Sequence, residues 1–190
     1  MKTIRSLTIL AILVISTTGL SRVQAQTPEP AQPSKATSAT YVKQGDNKYA
    51  AADYKGAVEA YTQALQIFNQ SDYAYYNRGN AYRKLKDYKA AIADYTQAIQ
   101  INPQNTFAYL YRGVAYQADG QAELAIADYT ALIKLDDQNA AAYAKRGEAY
   151  LSLKQKDAAI ADLRQASDIY KRLKEPEKSE RILSQLRSLK

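Results

Sequence analysis

A period of 34 residues runs through this chain and limits the folds that it can adopt. Tyrosines return in register four residues before each of four evenly spaced glycines. The repeated small residues are Gly45, Gly79, Gly113 and Gly147, followed twelve positions later by Ala57, Ala91, Ala125 and Ala159. Such self-similarity indicates a stack of supersecondary units, none of which buries its apolar face alone.

Each repeat unit divides into two helical stretches. The units are 38–71, 72–105, 106–139 and 140–173. In the second unit Tyr75, Gly79 and Tyr82 recur at i, i+4 and i+7, which is one face of a helix. The glycines and alanines are structural positions that let two helices approach closely. Five residues are predicted N-caps of these helices: Asp53, Ser71, Asp87, Asn105 and Asn139.

The second unit resembles the tetratricopeptide repeat (TPR), whose key positions favour an aromatic, Leu, Gly, Tyr, Ala, Phe or Tyr, Ala and Pro. The corresponding residues are Tyr75, Arg78, Gly79, Tyr82, Ala91, Tyr95, Ala98 and Pro103. The resemblance covers residues 38–173, with Arg in place of Leu in three units. It implies an all-α, right-handed superhelical solenoid of four helix–turn–helix repeats. Residues 174–190 are then expected to form a C-terminal capping helix, since a solenoid end needs a polar outer face.

The N-terminus has the features of an export signal. Lys2 and Arg5 precede an apolar run, and small residues lead to a predicted cleavage site between Ala25 and Gln26. Residues 1–25 are therefore predicted to be a signal peptide, and Pro-rich residues 26–37 a flexible tether. A periplasmic or secreted protein is expected. The alternative is membrane anchoring by an uncleaved segment, residues 6–20.

The composition argues against several kinds of chemistry. The chain has no His and no Cys, so it lacks the usual general base, the thiol nucleophile and the ligands of a transition metal. We expect no catalytic residue, no metal and no cofactor. Residues 26–170 carry 16 basic and 16 acidic side chains despite the net charge of +7, so no nucleic-acid partner is indicated. The membrane is expected to matter only through the signal or anchor segment.

One charged pattern predicts a structural role. Arg78, Arg112 and Arg146 precede the glycines of the last three units, and those units also carry Asp94, Asp128 and Asp162. The first unit has Gln44 and Ala60 instead. Because the two residue types occur together, each Arg is predicted to pair with the Asp of its own unit. The alternative is a set of exposed charges kept by repeat duplication.

The resemblance implies that the first helices line a concave groove, where stacked repeats bind partners. The candidate partner-binding residues are Tyr49, Tyr73, Tyr76, Asn77, Asn80, Arg83, Phe107, Leu110, Tyr111, Val114 and Gln117. Other groove-facing positions are Val42, Asp46, Lys84, Ala118, Ala144, Glu148 and Leu151. Aromatic rings flanked by Asn, Gln and Arg are typical of recognition surfaces. An alternative is that Tyr73 and Tyr111 only complete the packing between neighbouring helices.

These features predict a non-catalytic adaptor that binds a peptide segment or helix of a protein partner. Some family members clamp a C-terminal carboxylate, but the matching positions here are Val42, Asp46, Asn77, Phe107 and Tyr111, of which only Asn77 fits. Two alternatives remain open: an assembly factor for an envelope complex, and a protein associated with cell-wall glycan. The sequence names neither the partner nor the oligomeric state.

Overall fold

The computed structural model describes residues 34–189, which contain nine α-helices and no strand. The helices are α1 (Lys35–Ala50), α2 (Tyr54–Ile67), α3 (Asp72–Lys84), α4 (Tyr88–Ile101), α5 (Thr106–Ala118), α6 (Ala122–Leu135), α7 (Ala140–Ser152), α8 (Lys156–Arg172) and α9 (Pro176–Ser188). Each helix packs against the next one in the sequence. The predicted all-α solenoid of four helix pairs and a capping helix is confirmed.

The predicted N-caps act at the starts of their helices. The side chain of Ser71 accepts a hydrogen bond from the Ala74 backbone N–H at 3.1 Å, which satisfies one of the free donors of α3. Asp53, Asp87, Asn105 and Asn139 do the same for α2, α4, α5 and α7. Local sequence signals therefore determine where most of the helices begin.

The turn inside each helix pair uses one left-handed residue. Its φ is 61° at Ala52, 63° at Lys86, 80° at Gly120 and 60° at Lys154. These positions again lie 34 residues apart, but only the third of them is glycine. Residues with a Cβ are strained in this conformation, so three of the four turns keep a local penalty.

The core is made of repeated contacts between small residues and rings. Ala57, Ala91, Ala125 and Ala159 are all fully buried. A Cβ added at Gly113 would lie 2.5 Å from the Tyr129 ring, so no side chain fits there. In the last repeat Leu163 replaces the tyrosine, and a Cβ at Gly147 would lie 3.0 Å from its side chain. The small residue is thus required by the side chain that faces it, a tyrosine ring at Gly113 and a leucine at Gly147.

The capping helix α9 closes the last hydrophobic cluster. Ile182 is buried against α8 together with Ile169 and Tyr170. The hydroxyl groups of Ser167 and Ser179 lie 2.9 Å apart in the same interface. The outer side of α9 carries exposed charged residues, as the end of a solenoid requires.

The N-terminal boundary of the array differs from the sequence prediction. Helix α1 begins at Lys35, so residues 35–37 are helical and do not belong to the tether. The reason is a capping box, in which the Ser34 and Thr37 side chains each accept a hydrogen bond from the other's backbone N–H. The predicted signal peptide and the rest of the tether, residues 26–33, lie outside the described residues.

Candidate functional site

The first helices of the repeats lie on one side of the stack. Helices α1, α3, α5 and α7 contact one another from one pair to the next, in addition to their contacts within each pair. Neighbouring helices approach most closely on the concave side of a curved stack. We call the inner face the surface of α1, α3 and α5 that carries Tyr49, Tyr73, Tyr76, Arg83, Phe107 and Tyr111.

An aromatic cluster occupies the middle of the inner face. The Tyr76 ring lies 6.4 Å from Phe107, 6.1 Å from Tyr111 and 6.0 Å from the buried Tyr95, measured between ring centroids. Phe107 is 62% exposed and Tyr73 is 51% exposed, which is unusual for large rings in a folded chain. Tyr76 and Tyr111 are half-buried, and Tyr76 contacts the exposed Phe107 ring.

Arg83 adds a positive charge to this cluster. Its guanidinium carbon lies 4.9 Å from the centroid of the Tyr111 ring, within the range of a cation–π contact. Burial raises the pKa of the Tyr76 and Tyr49 hydroxyls, and the charge of Arg83 acts in the opposite direction on both. The arginine therefore lies among rings of α1, α3 and α5.

Several polar residues of the predicted groove are already engaged by the core tyrosines. The Tyr95 hydroxyl donates to Asn80 Oδ1 at 2.8 Å, and the Tyr129 hydroxyl donates to Gln117 Oε1 at 2.6 Å. Asn80 is itself buried at 8% exposure. Asn80 was predicted to line the partner-binding groove; in the structure it is buried, and its side-chain oxygen accepts a hydrogen bond from within the core.

The same arrangement occurs in the first repeat with a carboxylate. Asp46 accepts a hydrogen bond from the Tyr61 hydroxyl at 2.6 Å and from the Tyr73 hydroxyl at 3.2 Å. From the sequence, Asp46 was expected only to face the groove, at a position that matches one of the five clamp positions. A usable signal was present, since Asp46 and Asn80 both lie one residue after a glycine and 15 residues before a core tyrosine.

The remaining predicted groove residues have mixed roles. Leu110 and Val114 are partly buried and pack against the Tyr129 cluster. The Asn77 side-chain amide donates to the Tyr73 carbonyl one turn earlier at 3.0 Å. Tyr49 makes an edge contact with Tyr54, with 5.3 Å between the ring centroids. The structure thus brings Tyr76, Arg83, Phe107 and Tyr111 together, and places Leu110 and Val114 mainly in the packing.

A second polar cluster lies between the helix pairs. Arg78 donates from Nε and Nη2 to both carboxylate oxygens of Asp94, at 2.8 and 2.7 Å. The pairs Arg112–Asp128 and Arg146–Asp162 have the same geometry. The predicted pairing within each unit is confirmed. The aspartate side chains are only 7%, 6% and 9% exposed, so these are not solvated surface charges.

Each of these arginines also reaches the preceding repeat, which the sequence analysis missed. The Nη1 atoms of Arg78, Arg112 and Arg146 donate to Thr62, Thr96 and Thr130, all at 3.0 Å. The signal lies in the repeat pattern, because Thr occurs in units one to three and Arg in units two to four. A shift by one unit indicates a contact across the boundary. We call these Arg–Asp–Thr groups the arginine ladder.

No described helix is both long enough and apolar enough to cross a bilayer. This finding covers residues 34–189 and leaves the N-terminal segment outside its scope.

Comparisons with known proteins agree with the geometry of the repeats. Tetratricopeptide-repeat models match residues 73–105, 94–127 and 140–172. No curated protein sequence gives a significant match. The fold is similar to the crystal structure of MamA, with a TM-score of 0.70, 25% identity, and coverage of 71% of this chain and 79% of that one.

Two further solved structures are similar over fewer residues. The Arabidopsis OM64 TPR domain is 27% identical with a TM-score of 0.60, covering 62% of this chain and 98% of that one. The second TPR domain of human RPAP3, in complex with the HSP70 peptide SGPTIEEVD, is 26% identical with a TM-score of 0.59, covering 61% and 98%. With four helix pairs in register and three family-model matches, the chain belongs to the tetratricopeptide-repeat family.

Proposed function

We propose that this protein is a non-catalytic adaptor that binds a peptide segment or a helix of a protein partner on its inner face. The observation that carries the proposal is the pair of exposed rings, Phe107 at 62% and Tyr73 at 51%, on the face where the first helices meet. Large aromatic side chains at such a site bury much area with few rotatable bonds to immobilise. The peptide seated on the similar RPAP3 domain supports the same use of the fold.

Peptide binding has more support than glycan binding. A sugar needs carboxamides free to bond its hydroxyl groups, yet the oxygens of Asn80 and Gln117 accept from core tyrosines. The rings around Tyr76 are tilted by 47–51° with respect to it and form an irregular apolar surface. Side chains of a peptide can fit between such rings. We therefore favour a peptide over cell-wall glycan as the occupant.

The inner face lacks the residues with which a carboxylate clamp binds a peptide's C-terminus. Four of the five clamp positions are occupied by Val42, Asp46, Phe107 and Tyr111, which supply no cation or amide to a chain terminus. Asp46 would repel a terminal carboxylate placed against it. The HSP70-tail peptide of the RPAP3 complex is therefore not proposed as the ligand of this chain.

A direct test is selection of short random peptides on residues 26–190, followed by affinity measurements with synthetic peptides. We expect Tyr76→Ala/Phe107→Ala to abolish binding, because the exposed ring and its support are lost. The matched control is Leu124→Ala/Leu135→Ala, which removes two exposed leucines from α6, outside the inner face. Equal binding by both double variants, with unchanged circular dichroism, would reject the inner face. The affinities for muropeptide and glycan fragments are measured in parallel, to test the glycan alternative.

The location of the protein forms a separate proposal, based on the signal-like residues 1–25. We place the mature protein in the periplasm or outside the cell, cleaved between Ala25 and Gln26. N-terminal sequencing of the expressed full chain should then begin at Gln26. A chain that keeps its N-terminus and stays with the membrane would favour the alternative, an envelope-complex assembly factor anchored by residues 6–20.

A further inference from the structure

Arg83 differs from the arginines of the ladder in having no carboxylate partner. Among residues 34–189 it forms no salt bridge with any carboxylate. Its Nε is buried and has no hydrogen-bond partner. Buried donors are nearly always paired in folded proteins, and an unpaired one in a native structure calls for an explanation. No carboxylate of residues 34–189 neutralises this guanidinium.

The surroundings of Arg83 hold it in place without neutralising it. The guanidinium lies against the Tyr111 ring of α5. Burial raises the pKa of the hydroxyls of Tyr49 on α1 and Tyr95 on α4, and Arg83 opposes this through its charge and, at Tyr95, through a side-chain hydrogen bond. An arginine packed on aromatic rings keeps its planar set of donors oriented. Arg83 as a residue is half-buried, although its Nε is buried. A planar acceptor such as a carboxylate can bind two of its N–H groups at once.

The charge of the inner face is unbalanced at this point. Lys84 is the next residue, is exposed, and also forms no salt bridge within residues 34–189. The acid at a groove-facing position of the first repeat, Asp46, already accepts two tyrosine hydroxyls. In the fourth repeat Glu148 is paired with Lys145. The middle of the groove therefore presents two cations to a partner that carries negative charge.

We propose that Arg83 binds the carboxylate of an Asp or Glu side chain in the interior of an extended partner peptide, whose apolar neighbours pack on Tyr76 and Phe107. An interior residue is favoured because both first helices that contact α3 carry aromatic residues, Tyr49 on α1 and Tyr111 and Phe107 on α5. A peptide that ended at Arg83 would leave one of these helices uncovered. Arg83 lies four residues after its glycine and is not one of the five clamp positions. The inference rests on the proposed function and specifies the chemistry of the partner.

The experiment uses short random peptides selected on the wild-type chain, then synthesised with free or amidated C-termini. We expect the selected peptides to share an acidic residue at one interior position. Changing that residue to its amide should weaken binding about tenfold or more. Arg83→Gln should cause a similar loss, and the two changes together should add little further loss. The matched control is Arg164→Gln, an exposed arginine of α8, which should bind like the wild type.

Three results would overturn the inference, and they separate it from the proposed function. Peptides that depend on Tyr76 and Phe107 but lack a shared acid, or bind Arg83→Gln normally, would reject the role of Arg83 alone. Loss of binding on C-terminal amidation, with no effect of the acidic residue, would identify a chain terminus as the ligand. If no peptide is selected, or none depends on Tyr76 and Phe107, both proposals fail.

Discussion

The arginine ladder and the inner face use the same side chain in opposite ways. In the ladder, Arg78, Arg112 and Arg146 each have two bonds to an aspartate and one to a threonine. On the inner face, Arg83 packs on the Tyr111 ring, its Nε has no hydrogen-bond partner, and it has no carboxylate partner among residues 34–189. The ladder repeats every 34 residues, whereas the residues equivalent to Arg83 are Tyr49, Gln117 and Leu151. The arginines that follow the 34-residue period form ion pairs within the chain. Arg83 breaks the period and forms none among residues 34–189.

This contrast suggests a division between stability and binding. The ladder connects each helix pair to the next through partly buried, fully bonded charges, so its loss should affect folding. Arg83 contributes no ion pair to the described chain, so its loss should mainly affect a ligand.

The largest effect is expected for Asp128→Ala. Arg112 would keep its charge in a site that is only 15% exposed and would lose both carboxylate bonds. Leaving one partner of a buried pair unmatched costs about 3–5 kcal/mol of unfolding free energy. Urea denaturation measures the loss. The double variant Arg112→Leu/Asp128→Ala should recover much of it, because no unpaired charge remains.

Asp168 provides the control for that experiment. Its side chain is 68% exposed and lies 3.9 Å from Lys171, so Asp168→Ala should change stability by less than about 1 kcal/mol. If Asp128→Ala behaves like Asp168→Ala, the ladder is not a stabilising element and the contrast with Arg83 disappears.

Removal of the capping helix is expected to rank second. A chain that ends at Lys174 loses the burial of Ile182 and exposes Ile169 and Tyr170 on α8. Burying each such side chain contributes about 1.5–3 kcal/mol, but the conformational entropy lost on ordering α9 offsets much of this gain, so the melting temperature should fall by roughly 5–10 °C. Thermal unfolding followed by circular dichroism measures the change. An unchanged melting curve would exclude α9 as a stabilising cap.

Substitution of the repeat glycines should have a graded effect. Gly113→Ala places a Cβ 2.5 Å from the buried Tyr129 ring, whereas Gly147→Ala places one 3.0 Å from the more flexible Leu163. We expect Gly113→Ala to destabilise the chain by about 1–3 kcal/mol. At Gly147 the higher helix propensity of Ala should offset most of the smaller clash, to within about 1 kcal/mol. Equal losses of unfolding free energy in both variants would show that the facing tyrosine ring is not what makes glycine necessary at Gly113.

The smallest effect on folding is expected at the left-handed turns. Lys86 has a φ of 63°, so Lys86→Gly should raise the unfolding free energy by about 0.5–1 kcal/mol. Gly120 occupies the equivalent turn, and a Cβ there would meet nothing within 4 Å. Gly120→Ala should therefore lose a similar amount through the backbone alone. Chemical denaturation of both variants checks the opposite signs.

Much of the framework could be predicted from the sequence because it repeats. The N-caps, the helix pairs and the Arg–Asp pairs follow from local signals that recur in register, and repetition separates them from chance. The threonine contacts of the ladder could also have been found, since Thr62, Thr96 and Thr130 occur one unit ahead of the arginines. The sequence prediction paired each arginine with an aspartate and did not consider these threonines.

The inner face was harder to predict because its roles depend on where side chains reach. Asn80 was expected to face a partner, but the Tyr95 hydroxyl reaches its carbonyl oxygen from the core. The 15-residue spacing that Asn80 and Asp46 share with their core tyrosines does not by itself indicate that a hydroxyl reaches the polar side chain. The start of α1 at Lys35 was missed for a similar reason, because the Ser34–Thr37 capping box lies before the first repeated residue. Non-repeating contacts of this kind require the structure.

The most direct test compares Arg83→Gln with Arg112→Gln in the same two measurements, the unfolding free energy and the affinity for one selected peptide. We expect each variant to change only one of the two quantities. Arg112→Gln should lose stability by at least about 2 kcal/mol and keep its peptide affinity below the unfolding transition. Arg83→Gln should keep its stability and lose about tenfold or more in affinity. An Arg83→Gln variant that loses stability but binds the peptide normally would contradict the account.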